Sequence, residues 1–100
     1  MNFPNLEELL FTATLVEDLN QKLAIYQVAA KNYADDYRTH NNVGAVLYMQ
    51  NKMNEAKAAF EKANSVKENP ISKNNLGAIA GASEDRAKAK TLLSQAKGAG

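Results

Sequence analysis

The sequence repeats itself at a constant spacing of 33 residues, and this spacing restricts the possible folds more than any other feature. Each repeated position keeps the same class of side-chain size. Self-similarity at a period of about 20 to 50 residues is typical of proteins built from stacked, identical structural units. The matched pairs are Val43 with Leu76, Gly44 with Gly77, Ala56 with Ala89, Phe60 with Leu93, and Ala63 with Ala96.

The small residues of one repeat fall on two short helices that can cross closely. Gly44 belongs to the first of these helices, and Ala56 to the second. Because glycine and alanine have almost no side chain, the two backbones can approach each other, while Phe60 fills the space between one repeat and the next. Apolar spacing of three and four residues also predicts two helices before this pair. The sequence therefore predicts an all-α fold of six helices in three antiparallel hairpins.

Each predicted helix begins with a residue that can hydrogen-bond the free backbone NH groups of the first turn, or whose negative charge is stabilised by the positive end of the helix dipole. Asn5 with Glu8, and Asp18 with Gln21, have the spacing of a capping box. Pro70 suits the first helical position because it lacks an NH. The predicted starts are Asn5, Asp18, Asp35-Asp36, Asn54, Asn69-Pro70 and Ser83.

The middle repeat resembles the tetratricopeptide repeat family, whose usual pattern is Trp, Leu-Gly, Tyr, Ala-x3-Phe and Pro. His40 stands where tryptophan is usual, and Leu47 replaces tyrosine. The resemblance implies three hairpins stacked as a right-handed α-solenoid, with repeats at approximately 5–34, 36–68 and 70–97 of one domain spanning 1–100. The residues that carry the resemblance are Val43-Gly44, Leu47, Ala56, Phe60, Ala63 and Pro70.

Composition excludes several classes of function. The chain has no cysteine, which excludes disulfides and thiolate metal sites, and its net charge of +1 argues against a nucleic-acid surface. Glu7 and Glu8 interrupt the first apolar run, so the N-terminus does not resemble a signal peptide, and no apolar run approaches the ~20 residues that span a bilayer. We therefore expect no direct membrane insertion.

The residues needed for catalysis are scarce. The chain has one histidine and no Ser-His-Asp or glycine-rich phosphate pattern. Asp35-Asp36 could form a metal site or an acid-base pair, but helix capping explains the pair better. His40 could bind a ligand, although filling the place of a tryptophan in the packing is the favoured interpretation. We expect a protein that is not an enzyme and that holds no cofactor or metal.

The resemblance implies that the first helix of each repeat lines a concave surface that binds peptides. In this family an asparagine at the position of Asn42 or Asn75 commonly hydrogen-bonds the backbone of an extended peptide, a task for which an amide has both donor and acceptor. The alternative is that both asparagines only bridge neighbouring helices or face water. The candidate peptide-binding residues are Arg38, Asn41, Asn42, Ala45, Tyr48, Asn74, Asn75 and Ala78.

The charged residues of the predicted surface indicate which kind of protein segment could bind there. Arg38 is the only basic residue at a plausible place in this surface, and Glu8 would oppose an anion, so a neutral or mildly basic protein segment fits better than a terminal carboxylate. Residues 1–36 contain six acidic and two basic residues, a balance of −4, whereas residues 67–100 contain six basic and three acidic residues, a balance of +3. This asymmetry would suit head-to-tail contact, either with a neighbouring repeat of a longer chain or, by self-association, with another copy. Ordinary solvated faces are the favoured explanation.

Two functional classes follow from these patterns. The favoured one is a module that binds a peptide segment of another protein in a concave groove. The alternative is a structural spacer or assembly array within a larger cell-envelope protein. A weaker similarity to repeat segments of Gram-negative cell-envelope proteins favours the periplasm or cell envelope, with the cytoplasm left open. The Gly98-Ala99-Gly100 end, with no separate capping helix after it, suggests a fragment of a longer repeat protein.

Overall fold

A computed structural model describes residues 4–99 of the chain and the side chains of residues 4–91. Within this part the chain is all-helical, with five helices and no strand. Each helix packs against the next along the chain. The helices are α1 (Leu6–Thr14), α2 (Leu19–Asn32), α3 (Tyr37–Met49), α4 (Met53–Val66) and α5 (Pro70–Ala99).

Four of the predicted helix starts are confirmed by side-chain caps. Asn5 Oδ1 accepts a hydrogen bond from the backbone NH of Glu8 at 2.8 Å, and Asp18 Oδ1 accepts one from that of Gln21 at 3.0 Å. These bonds satisfy NH groups that the first helical turn leaves unpaired. The other two caps are Asp36 Oδ1 to the NH of Arg38 at 3.0 Å and Asn69 Oδ1 to the NH of Ser72 at 2.9 Å.

The prediction that Asn54 caps the fourth helix was wrong. The helix α4 begins at Met53, its capping position is Lys52, and no side chain completes that cap. The reason is the conformation of Asn51, which has a φ of 63°. Asparagine tolerates this left-handed conformation better than most residues, so the chain reverses at Asn51 and resumes helical geometry early enough to place Asn54 in the first turn.

The close helix crossing predicted at Gly44 is confirmed. A Cβ added to Gly44 would lie 2.8 Å from Cε1 of Phe60, so only glycine lets the aromatic ring lie directly on the α3 backbone. Phe60 is 1% exposed and forms a core cluster in which Ile79 and the partly buried Leu76 of α5 cover the α3–α4 hairpin. The buried members of this cluster are Leu47, Ala56, Phe60 and Ile79. A second cluster, formed by Ala13, Tyr26 and Val46, joins α1, α2 and α3.

The corresponding prediction at Gly77 was wrong. A Cβ added to Gly77 would meet nothing within 4 Å, because within residues 4–99 no helix lies against this face of α5. Ala89, the counterpart of the buried Ala56, is exposed. The remaining counterparts, Leu93 and Ala96, lie outside the residues whose side chains are described.

A separate sixth helix beginning at Ser83 was predicted, but α5 continues through this position to Ala99. Turn chemistry explains the difference. The α3–α4 hairpin turns at Asn51, and the residue 33 positions later is Glu84. Glutamate favours a right-handed helix and lacks the short amide that makes a positive φ tolerable, so the helix continues where the repeat spacing predicted a turn.

Candidate peptide-binding groove

A groove of about 280 Å³ lies between α1, α3 and the first turns of α5. Five of the eight predicted peptide-binding residues line it, so the structure brings together side chains from two repeats as the helical spacing indicated. The groove is lined by Leu10, Arg38, Asn41, Asn42, Ala45, Ile71 and Asn75.

Three predicted residues do not line this groove. Tyr48, in the last turn of α3, is 37% exposed. Asn74 and Ala78 are exposed residues of α5. Asn74 corresponds to Asn41 at the 33-residue spacing, and Asn41 is buried because α5 begins next to it. Within the described chain no further helix covers α5 in the same way, so Asn74 remains open to solvent.

Sequence reasoning missed two apolar residues of the groove, Leu10 and Ile71. Ile71 is 54% exposed. The repeat spacing could have found it, because position 71 corresponds to Arg38, which was itself predicted. Together with Ala45, these two side chains give the groove an apolar patch beside its amides.

Asn42 and Asn75 are the half-buried amides of the groove. Neither side chain makes a hydrogen bond to another residue of the described chain. The alternative that they bridge neighbouring helices therefore does not apply to the described residues. Each amide retains a free donor and a free acceptor, the combination that a peptide group can satisfy.

Asn41 has a different environment. It is 6% exposed, and Nδ2 donates to Oδ1 of Asn69 at 3.1 Å. The hydroxyl of Ser72 donates to Oδ1 of Asn41 at 2.6 Å. Both polar atoms of this amide are therefore engaged in a buried network that fixes the start of α5 against α3, and Asn41 supports the groove instead of offering free groups to a ligand.

Asn41→Ala is expected to lower the free energy of unfolding by about 1–3 kcal/mol, because it leaves the buried hydroxyl of Ser72 without its acceptor. Urea titration followed by circular dichroism measures this change. Asn42→Ala is the matched control on the next residue, and it should change stability by less than about 0.5 kcal/mol. Equal effects of the two substitutions would contradict the assigned difference between the amides.

Arg38 forms one wall of the groove, but its charge is balanced. Its guanidinium forms ion pairs of 2.9 Å with Glu7 of α1 and with Asp36 at the start of α3. The side-chain hydrogen bond from Arg38 holds the pKa of Asp36 below its ordinary value. Because two carboxylates already surround this cation, the groove provides little attraction for an anionic group.

A larger hollow, of about 670 Å³, lies on the other side of Arg38, next to the α2–α3 connection and the end of α4. The Lys67 ammonium lies 5.7 Å from the centre of the Tyr37 ring in its wall. Asp36 also lines it and caps α3, the role favoured for this carboxylate from the sequence. Within the described chain, no group of three His, Cys, Asp or Glu residues could hold a metal ion.

His40 is half-buried, and its Nε2 lies 2.9 Å from the carbonyl oxygen of Ala34. Because a carbonyl oxygen can only accept, the imidazole donates this hydrogen bond. The contact fastens α3 to the connection that precedes it. This agrees with the packing role favoured for His40 over ligand binding.

Comparisons with protein-family models, with curated proteins and with solved structures find no match to this chain. Over the described residues, no helix combines the length and the hydropathy required to cross a membrane. The resemblance to tetratricopeptide repeats therefore rests on the residues of the chain itself.

Proposed function

We propose that this chain is a protein-interaction module that binds an extended segment of another protein in the groove between α1, α3 and α5. The observation that carries the proposal is the pair of unengaged amides, Asn42 and Asn75, on neighbouring helices beside an apolar patch. An extended peptide presents NH and CO groups along its length and side chains on alternate sides. It can therefore bond both amides while one apolar side chain contacts Ile71.

We further propose that the helices form a tetratricopeptide-like stack, in which α1, α3 and the first half of α5 share one side. The ion pair between Glu7 and Arg38 joins α1 to α3. The hydrogen bond between Asn41 and Asn69 joins α3 to the start of α5. Contacts also run from each helix to the next in chain order, which is the pattern expected when repeats touch only their neighbours.

The charges of the groove favour a neutral or mildly basic segment. Arg38 is balanced by Glu7 and Asp36. Glu8 is exposed and adds a further negative charge on α1, the helix that contributes Leu10 to the groove. A segment with one lysine or arginine close to an apolar residue would complement this surface, whereas an acidic segment would be repelled.

The proposal is tested by affinity capture from the source organism with the native chain and the Asn42→Ala/Asn75→Ala variant. We expect the double variant to lose at least about tenfold in recovered partner, since two desolvated amide contacts contribute on the order of 1 kcal/mol each. Asn54→Ala, which changes an exposed amide on α4 away from the groove, is the matched control and should retain the partner.

A structural spacer is the second candidate. The molecule measures 67 × 29 × 16 Å, and its length comes largely from the 30-residue helix α5. A long helix that extends from a small packed region could hold other domains apart. Recovery of the same partners by the native chain and by Asn42→Ala/Asn75→Ala would favour this candidate over a binding groove.

A further inference from the structure

Exposed large apolar side chains are concentrated on the helices that form the groove. Among the side chains that the structure describes, six of this kind are at least 37% exposed. Five of them belong to α1, its capping residue, α3 or α5, and Val28 of α2 is the sixth. Single exposed apolar residues are ordinary, but a group of them on one surface marks an interaction site. The five are Phe11 (66%), Leu15 (68%), Tyr48 (37%), Met49 (56%) and Ile71 (54%).

Helical spacing places Tyr48 and Met49 next to the groove. Ala45 lines the groove, and these two residues follow it in α3 by three and four positions. Residues at such separations are neighbours on one side of a helix, with Cβ atoms about 5–6 Å apart. The groove side of α3 therefore continues into two exposed apolar side chains toward the end of the helix.

Phe11 and Leu15 occupy the side of α1 that faces the groove. Glu7 forms an ion pair of 2.9 Å with Arg38, which lines the groove. Phe11 follows Glu7 by four residues, and Leu15 follows Phe11 by four. Leu15 caps α1 with right-handed helical dihedral angles, so this spacing holds to the end of the helix. The three side chains therefore share one side of α1.

The exposed residues of α1 and α3 lie toward the same end of the fold. Glu7 pairs with Arg38 near the starts of the two helices, and Ala13 and Val46 belong to one core cluster near their ends. The two helices therefore run parallel, with their ends side by side. We call the four exposed side chains toward these ends the apolar extension of the groove: Phe11, Leu15, Tyr48 and Met49.

We propose that the segment bound in the groove continues over the apolar extension and places large apolar side chains there, an inference that rests on the proposed function. From Arg38 to Met49 the groove side of α3 rises roughly 16 Å. An extended peptide covers this distance in about five residues. Ile71 is the counterpart of Arg38 at the 33-residue spacing and lines the same groove. The partner is therefore an extended protein segment with large apolar residues on both sides of a middle part that bonds the amides.

The distribution of charge favours this occupant. Glu7 and Glu8 lie in the first turn of α1. Residues 9–16 and 39–51, which include the rest of the groove side of α1 and α3, contain no lysine, arginine, aspartate or glutamate. A basic residue of the segment is attracted to the acidic first turn, whereas the uncharged stretches favour apolar groups. The segment therefore lies with its basic residue near the start of α1 and its apolar residues on the apolar extension.

A synthetic library of acetylated, amidated nonapeptides, with one residue fixed at each position in turn, is the probe. We expect the native chain to select large apolar residues at two positions about five residues apart. Phe11→Glu and Met49→Glu should each remove one of these preferences and raise the dissociation constant of the selected peptide at least tenfold, because a carboxylate would be buried against apolar groups. Val28→Glu makes the same change at the exposed apolar residue of α2, and it should leave the dissociation constant within twofold.

A change in the peptide tests the same contact without altering the protein fold. Serine in place of the apolar residue selected for the apolar extension should weaken binding to the native chain at least tenfold. The same peptide change should weaken binding to the Phe11→Ala/Met49→Ala variant less than threefold, because that variant has already lost the contact. This comparison decides if the glutamate variants fail to fold by circular dichroism.

The outcomes separate the apolar extension from the groove. Peptides that require Asn42 and Asn75, yet bind Phe11→Glu and Met49→Glu as tightly as the native chain, would leave the groove in place and overturn the apolar extension. A native chain that selects no peptide would overturn both. If sedimentation equilibrium shows a native dimer that these two glutamates dissociate, the apolar extension is a contact between copies of this chain, and the extended segment is rejected.

Discussion

Phe60→Ala is expected to lower the free energy of unfolding by about 3–5 kcal/mol, the usual cost of removing a buried aromatic ring. Phe60 is 1% exposed and packs with Leu47, Ala56 and Ile79, so its ring joins α3, α4 and α5. Its removal leaves a cavity that the backbones on either side cannot close. Urea titration followed by circular dichroism, with thermal unfolding as a second readout, measures the loss.

Phe11→Ala provides a matched control for the same chemical change. Phe11 is 66% exposed on α1, so its removal should change stability by no more than about 0.5 kcal/mol. Comparable losses for the two substitutions would mean that Phe60 does not hold the helices together. A native-like midpoint for Phe60→Ala would contradict the core as described.

The sequence predicted the first part of the fold well because local signals and packing signals agree there. The caps at Asn5, Asp18 and Asp36 use short side chains at fixed distances from the NH groups they bond, so spacing alone identifies them. The close approach of α3 and α4 at Gly44 was likewise predicted from the small size of glycine, although Phe60 was expected between repeats and not on Gly44 itself. In each case the interaction lies within one helix or one hairpin.

The prediction failed where a repeat pattern and the local turn chemistry disagree. The 33-residue spacing predicted a hairpin at Ser83, but Glu84 stands where the preceding hairpin has Asn51 at positive φ. Continuation of α5 then leaves Gly77 without the close neighbour that Gly44 has. A size pattern shows which residues can pack together, whereas the turn residue determines whether the same chain brings them together.

Only some of the groove residues were predicted, because helical spacing does not show how closely two helices pack. Helical spacing placed Asn42 and Asn75 on one side, and both line the groove. Spacing could not show that the Asn41 side chain is hydrogen-bonded to Asn69 and Ser72, because this network depends on how closely α5 approaches α3. Ile71 was not considered from the sequence, although it lies 33 positions after Arg38, and its side chain is 54% exposed.

The contacts that attach α5 to α3 also position the groove residues of α5, so stability and the proposed function depend on the same side chains. Asn69 caps α5 and also bonds Asn41, so one side chain fixes both where α5 begins and how it lies against α3. Ile71 and Asn75 follow in the next turns and reach the groove from this fixed start. The groove therefore depends on the same contacts that attach α5, and variants that loosen this attachment should weaken binding together with stability.

Gly44→Val is expected to lower the free energy of unfolding by about 3 kcal/mol, at the upper end of the usual cost of overpacking a core. The added Cβ alone would lie 2.8 Å from Cε1 and 2.9 Å from Cζ of Phe60, before the two valine methyl groups are counted. The ring cannot move aside, because Leu47 and Ile79 surround it. The small gain in helix propensity from replacing glycine offsets only a few tenths of a kcal/mol.

Gly77→Val makes the same change at the matched position of the next repeat, where an added Cβ meets nothing within 4 Å. Its stability should equal or slightly exceed that of the native chain, so the two valine variants should differ by about 3 kcal/mol in urea titration. The Gly44→Val/Phe60→Ala double variant should lose less than the sum of its two single changes, because the valine methyl groups then occupy part of the space left by the ring. Strict additivity in this cycle, or equal losses for the two valine variants, would show that Gly44 and Phe60 are not in contact and that α3 and α4 do not cross here.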